Sequence, residues 1–373
     1  MTAPAVLPEE PAPEVVTEVT GRAGVITLNR PAALNALTMP MVRHIADALE
    51  DWRHDDRVEL VLLTGAGERG LCAGGDVIGL QRDALAGGLA GARFWAAEYP
   101  LNLAISCYPK PYVALMRGLV LGGGIGLASH GSHRIVTDGT RVGMPETGIG
   151  FVPDVGGSWL LTRRPGHLGT HLALTGSHVG PAEAIEVGLA DAYVPAGRLD
   201  DLTDALCRTG DLALIEEAAG PAPGGFGRLV PQIEAAYTAD TVAGILTRLD
   251  DLTRRDGESS WARTAAARIR RNSPLALSVA LESLRRAAGQ TLAQALDTEF
   301  RVSVAMQRTH DFVEGVRAQL VDKDRAPRWR PATLAEVTAE DVATIFAPPA
   351  DPRIVEPRLA AGDVGLPAAA VRG

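Results

Sequence analysis

Three short, largely apolar runs constrain this chain more than any other feature: VELVLLTG (58–65), YVALM (112–116) and RIVT (134–137). Runs so short and without polar alternation read as strands buried on both faces, as in a parallel sheet covered by helices. Helical stretches fall between them, so the pattern predicts an α/β chain. In TMPMVRHIADALEDW, residues Met41, Ile45, Leu49 and Trp52 share one helical face, with Thr38 as the expected cap and Pro40 tolerated in the first turn. Upstream, VVTEVTGRAGVITLN predicts two strands around a turn at residues 21–24.

Residues 1–14, rich in Pro, Ala and Glu, read as a flexible tail, and 15–205 as the α/β core. From 206 to 346 the pattern becomes helical, with GPAPGGFG (220–227) as a loop and SPLALSVALESLRRA and LAQALDTEFRVSVAMQR as helices. Residues 347–373 lack periodicity and read as an irregular tail.

Composition narrows the function. A net charge of −9 over 373 residues offers no basic excess for neutralising phosphates, which argues against nucleic acid as the partner. Cys72, Cys107 and Cys207 have no paired spacing, which favours a reduced compartment. The N-terminal stretch has its first basic residue at Arg22 and matches neither a secretory nor a transit signal. The most apolar run, PYVALMRGLVLGGGIGLASHG, is broken by Arg117 and does not read as a membrane span. A cytosolic protein is the expectation.

Two glycine clusters follow predicted strands and precede predicted helices: LCAGGDV (71–77) and LGGGIG (121–126). The second is no dinucleotide fingerprint, because Ser129 stands where the third glycine belongs. No GK[ST] follows either cluster, which rules out a nucleotide-hydrolase phosphate loop. Glycine there serves either tight helix packing or close approach of a ligand to bare backbone. Two such corners could turn N–H groups toward one oxygen, as an oxyanion hole does. Between Gly, Pro and aliphatic residues, MPETGIGFVPDVGG (144–157) holds two acids, Glu146 and Asp154. Taken alone, Asp154 also fits a turn residue, Glu146 a helix-start charge and Glu98 a solvated helix position. His130 with His133, and His167 with His171, have metal-ligand spacing but no third ligand, so exposed or capping roles are expected and no metal. Cys72 has no His partner and reads as a small packed residue.

In order along the chain, NRPAALNAL (29–37), CAGGD, LGGGIG and PETGIG resemble the crotonase (enoyl-CoA hydratase/isomerase) superfamily. GLVLGGGIGLASHG, MPETGIGFVPDVGGSWLL, FWAAEYPLN (94–102) and HDFVEGVRAQLVDKDRAPRW (310–329) are similar to its branch that hydrolyses 3-hydroxyisobutyryl-CoA. The resemblance implies a crotonase-like spiral of ββα turns over 15–205, followed by a helical C-terminal region. It implies hydrolysis of a short branched 3-hydroxyacyl-CoA to the free acid and CoA, in valine breakdown. No separate cofactor is implied, since CoA is part of the substrate, and a homo-oligomer is compatible with the family. The N–H groups of Gly75 and Gly123 would hold the thioester oxygen. Glu146 and Asp154 would be catalytic, Glu98 would contact the substrate, and Lys323 would reach the CoA phosphates.

The alternative is an enoyl-CoA hydratase or isomerase. Hydratases of the superfamily carry a Glu just after the glycine run, and dienoyl-CoA isomerases an Asp; here that position is Gly126. Simple isomerases need one acid, which would leave Asp154 and Glu98 without a role. In the hydrolase reading, Glu146 attacks the carbonyl carbon or activates a water, and Asp154 orients the water or exchanges protons with it. Ile149, Phe151, Val152 and Val155 surround the pair and should hold one acid protonated. Glu98 would accept a hydrogen bond from an acyl hydroxyl.

Overall fold

The computed structural model describes residues 12–257 and 260–361. Most of the expected N-terminal tail (1–11) and the end of the C-terminal one (362–373) lie outside the described residues. The strands are β1 (Val15–Thr20), β2 (Ala23–Leu28), β3 (Leu60–Gly65), β4 (Gly70–Cys72), β5 (Tyr112–Met116), β6 (Leu119–Leu121), β7 (His133–Val136), β8 (Arg141–Gly143), β9 (His178–Val179) and β10 (Ala192–Tyr193). The larger sheet runs β1-β2-β3-β5-β7-β10 and the smaller β4-β6-β8-β9. Three successive turns each lay one strand in the larger sheet and the next in the smaller: β3 then β4, β5 then β6, β7 then β8. This is the expected spiral of ββα turns.

The apolar runs have a direct cause. Ile26, Leu28, Val61, Leu63, Ala114 and Met116 pack toward helix α1 (Met39–Arg53), whose Met41, Ile45, Leu49 and Trp52 are all buried. Their alternate neighbours Val25, Leu60, Leu62, Val113 and Leu115 pack on the other face against Leu199, Leu202 and Leu206. Those leucines belong to the helix Ala196–Thr209, which straddles the boundary expected at 205. Thr38 caps α1 as expected, its hydroxyl accepting from the Met41 N–H. At the hairpin, Gly21 has φ +60°, and a Cβ there would lie 2.3 Å from the Cys207 carbonyl oxygen. Glu14, at the end of the expected loose tail, is held by Arg30 and Thr38.

Two helices follow β4, α2 (Val77–Leu85) and α3 (Ala90–Ser106), and one short helix follows β6, α4 (Gly123–Ala128). In the helical region, Ser260, Ser273, Thr291 and Thr309 cap four consecutive helices, Trp261–Arg271, Pro274–Ala287, Leu292–Gln307 and His310–Val316. The helix Leu292–Gln307 packs on α3, and His310–Val316 packs on α2 and on the turn that starts at Glu146. Residues 347–361 then run back along Leu292–Gln307. Asp351 pairs with Arg308, Glu356 pairs with Arg301, and Asp297 accepts from the N–H groups of Leu359 and Ala360. Among the described residues no helix is long and apolar enough to cross a membrane.

The contact between the Glu146 turn and the helix His310–Val316 depends on Gly150. Its φ is +71°, and a Cβ there would fall 2.2 Å from the Asp311 carbonyl oxygen. Gly150→Ala should cost about 2–4 kcal/mol of stability, from left-handed strain plus overpacking. The measurement is urea unfolding, with a lower midpoint at unchanged slope as the expected outcome.

Candidate active site

The smaller sheet brings three chain corners side by side. Cys72 pairs with Val120, and Val120 with Val142, so β4, β6 and β8 end at one level. The chain leaves those ends through Gly74-Gly75, Gly122-Gly123 and Pro145-Glu146, and ligands of parallel α/β sheets collect at such carboxyl ends. At the first corner, the Leu37 N–H donates to Gly74 O and the Asp76 N–H to Leu37 O. Asp76 caps α2 through the Gly79 N–H. At the second, Gly122 takes φ +48° and starts α4, leaving the Gly123 N–H at the helix start without an intrahelical acceptor. Among the described residues, neither the Gly75 nor the Gly123 N–H donates to another protein group.

A cavity of about 870 Å³ opens at these corners, and Gly75, Gly123, Glu98, Glu146 and Asp154 all line it. Glycine at two positions makes room for acids. A Cβ on Gly122 would lie 2.8 Å from Glu146 Oε1, and one on Gly123 would lie 2.9 Å from Glu98 Oε1. The apolar wall includes Trp95 stacked on Phe151 (5.6 Å between centroids), which in turn packs on Phe312 (5.5 Å). Lys323 lies exposed and is not among the lining residues, whereas Arg325, two positions on, is.

Burial governs the acids. Glu98 is 2% exposed and Glu146 7%, and Glu98 Oε1 and Glu146 Oε2 have no hydrogen-bond partner among the described residues. Desolvation, and next the charge of Asp154, hold both well above the usual carboxylate range. Asp154 is pushed up to about 7 by desolvation, with a hydrogen bond from Tyr99 working in the opposite direction. The Tyr99 hydroxyl donates to Asp154 Oδ2 at 2.7 Å and lies 2.7 Å from Ser303 Oγ. Cys72 is fully buried, and desolvation drives its thiol up to about 12, so it packs and does not react.

The PDVGG turn that carries Asp154 is strained and held. Val155 has φ +54°, unusual for a β-branched residue. His130 Nε2 lies 2.8 Å from the Val155 carbonyl oxygen, so this histidine is a buried clamp and not the exposed or capping residue expected. Glu299 accepts from the N–H groups of Gly156 (2.6 Å) and Ser158 (3.0 Å) and from the Ser158 hydroxyl. Desolvation pushes Glu299 up to about 8.

Sequence reading missed Tyr99, Glu299 and Ser303. Tyr99 adjoins Glu98 inside FWAAEYPLN, but Glu299 and Ser303, four apart on one helix face, look like any polar pair. It also missed a basic region. A second cavity of about 730 Å³ adjoins the first, sharing Gly176, His178, Arg268 and Arg271 with it. Arg141 and Arg263 complete its basic lining, and no acid lines it. Arg268 donates to the Ser177 hydroxyl and Arg141 to the Thr140 carbonyl, both neutral groups. Arg268 and Arg271 end a helix, where basic residues ordinarily complement the dipole, so neither stands out in the sequence.

A model of the enoyl-CoA hydratase/isomerase family matches residues 23–346. The chain is 39% identical over 346 residues to a mitochondrial 3-hydroxyisobutyryl-CoA hydrolase of Danio rerio, covering 90% of this chain and 89% of that protein. The Homo sapiens protein of the same description is 39% identical over 347 residues, with the same coverage. A crystal structure described as a carnitinyl-CoA dehydratase from Mycobacterium thermoresistibile is 50% identical, with a TM-score of 0.86, covering 90% of this chain and 97% of that one. One described as an enoyl-CoA hydratase from Rhodobacter sphaeroides is 44% identical, with a TM-score of 0.84, covering 90% and 98%. The spiral, its glycine corners and these matches across nine-tenths of the chain lead to one conclusion: the protein belongs to the enoyl-CoA hydratase/isomerase family, the crotonase superfamily.

Proposed function

We propose that the protein hydrolyses a short, branched 3-hydroxyacyl-CoA thioester, 3-hydroxyisobutyryl-CoA foremost, to the free acid and CoA, a step of valine breakdown. The observation that carries this reading is the pairing of two buried acids, Glu146 and Asp154, with two undonated main-chain N–H groups on one cavity wall. The relatives described as 3-hydroxyisobutyryl-CoA hydrolases support it.

The thioester oxygen accepts from the Gly75 and Gly123 N–H groups, and each such donor lowers the barrier by about 3 kcal/mol as negative charge develops. Glu146 and Asp154 repel each other when both are ionised, so the pair holds one proton and one charge near neutrality. For attack the shared proton moves to Asp154 and the charge to Glu146, which adds to the carbonyl carbon itself or takes a proton from the attacking water. The C–S bond breaks as Asp154 gives its proton to the departing sulfur, and in the covalent route a water then cleaves the anhydride, freeing the acid and Glu146 and returning a proton to Asp154. Glu98 meets the acyl hydroxyl, and an acyl group without one would leave a buried acid unpaired. The arginine-lined cavity suits the phosphates of CoA, and Arg268 and Arg271 take the part expected of Lys323.

The two crystal structures described as dehydratase and hydratase favour a second reading, addition or removal of water across a C=C bond. Against it stands position 126. A Cβ on Gly126 would lie 2.7 Å from Val155 Cβ and 2.9 Å from Asn102 Nδ2, so the second acid of the hydratase branch has no room there.

A thiol-release assay on a panel of acyl-CoAs separates the readings. Thiol appears from 3-hydroxyisobutyryl-CoA if the protein is a hydrolase; hydration of crotonyl-CoA without thiol would support the second reading instead. Tight CoA binding with no turnover would point to a non-catalytic role. Glu146→Gln and Asp154→Asn should each lower kcat by about 10²–10⁴-fold. Because the pair loses its charge as pH falls through about 7, thiol release should drop about tenfold per pH unit on the acid side. Arg268→Ala combined with Arg271→Ala should raise KM for the CoA ester about tenfold or more and change kcat far less. A pantetheine thioester lacking the phosphates should show no such difference between the two proteins.

A further inference from the structure

Three acids line the cavity, and only one has a side-chain donor. Among the described residues, Glu98 and Glu146 make no side-chain hydrogen bond to another residue, while Asp154 Oδ2 receives the Tyr99 hydroxyl at 2.7 Å. That hydroxyl is itself fixed, since Tyr99 is fully buried on α3 and Ser303 Oγ stands 2.7 Å behind it on the helix Leu292–Gln307. Among the described residues, no other residue hydrogen-bonds Asp154 Oδ1. We propose that Tyr99, braced by Ser303, is a positioning residue that holds Oδ2 of Asp154, leaves Oδ1 for the substrate side, and decides which of the three acids bears the charge of the site.

The direction of the hydrogen bonds follows from their chemistry. An ionised carboxylate only accepts, so Tyr99 must donate to it, and Ser303 must then donate to Tyr99. When Asp154 takes up a proton, this chain of hydroxyls loses its reason to point that way. The preference is therefore built in: a hydroxyl donor satisfies a charge on Asp154, whereas among the described residues no side chain donates to Glu98 or Glu146. The other titratable groups packed around Asp154 are Glu98 from α3, Glu146 from its turn, Glu299 from behind, and His130 after α4. Glu98, Glu146 and Glu299 oppose a charge on Asp154 when ionised. His130, brought down to about 4 by burial, is neutral and contributes none. Tyr99 is thus the group among them that favours ionisation of Asp154.

This inference rests on Asp154 belonging to the site proposed above, so the decisive measurement does not use turnover. In protein labelled with ¹³C at Asp carboxyls, the Asp154 signal, identified by its loss in Asp154→Asn, should titrate about one pH unit higher in Tyr99→Phe than in the parent chain. An unmoved or lowered midpoint overturns the proposal. In the thiol-release assay, Tyr99→Phe should lower kcat about tenfold at neutral pH, leave KM within about twofold, and move the acid limb upward by the same unit. A loss that is uniform across pH would mean that the tyrosine only supports packing, and the proposal fails. Ser303→Ala should shift both readouts the same way by less, and it serves alone if Tyr99→Phe does not fold. If the parent chain releases no thiol from any acyl-CoA, the hydrolase reading falls, and the carboxyl titration still decides the role of Tyr99.

Discussion

Keeping several carboxyl groups out of water is the constraint around which this molecule is arranged. Glu98, Glu146, Asp154 and Glu299 are all under one-tenth exposed; the first three line the cavity and Glu299 holds the turn behind Asp154. Ionising them together is prohibitive in such surroundings, so they divide protons among themselves, and Asp154 takes the share of charge that its donor permits. The arrangement costs stability. Each of these acids binds its proton more tightly in the folded chain than in the unfolded one. Between the ordinary carboxylate range and the raised values, the folded state therefore holds protons that the unfolded state has lost. Stability falls as pH rises across that window, up to about 7 for Asp154 and about 8 for Glu299. Opposing that loss is the large two-faced core of the spiral, with α1 on one side and the helix Ala196–Thr209 on the other.

The glycines of the two corners act as spacers as much as hinges. Gly122 and Gly123 leave the volume into which the carboxyl groups of Glu146 and Glu98 project. Gly126 sits one turn further along α4, where Val155 and Asn102 occupy the neighbouring space. The strained φ of Val155 is what brings its side chain there, and His130 and Glu299 hold that conformation. Backbone strain in one turn thus bears on which chemistry the fold can host.

Much of this was legible in the residues. The apolar runs read at 58–65, 112–116 and 134–137 overlap β3, β5 and β7, whose aliphatic side chains are buried on both faces, and that leaves a direct trace in composition. The glycine corners and the acids of MPETGIGFVPDVGG were legible because bare backbone beside buried charge is unusual. The spiral repeat was not, since β4, β6 and β8 are only three residues each, GLC, LVL and RVG, too short to carry a recognisable pattern. Nor could the sequence separate Lys323 from Arg268 and Arg271 as neighbours of the cavity. That depends on how the helix Trp261–Arg271 docks beside β9, a long-range contact with no local signal. Glu299 and Ser303 were hidden for the same reason.

The helix Leu292–Gln307 is gripped on two sides. Asp297, Arg301 and Arg308 hold the returning segment 347–361, and Glu299 and Ser303 reach inward to the PDVGG turn and to Tyr99. Gly156 and Glu299 are 143 positions apart. During synthesis on the ribosome, both glycine corners and both acids emerge well before the groups that lock Asp154 in place. A nascent chain that has made the whole spiral therefore still lacks the groups that fix the PDVGG turn and Tyr99, which arrive only with the helix Leu292–Gln307.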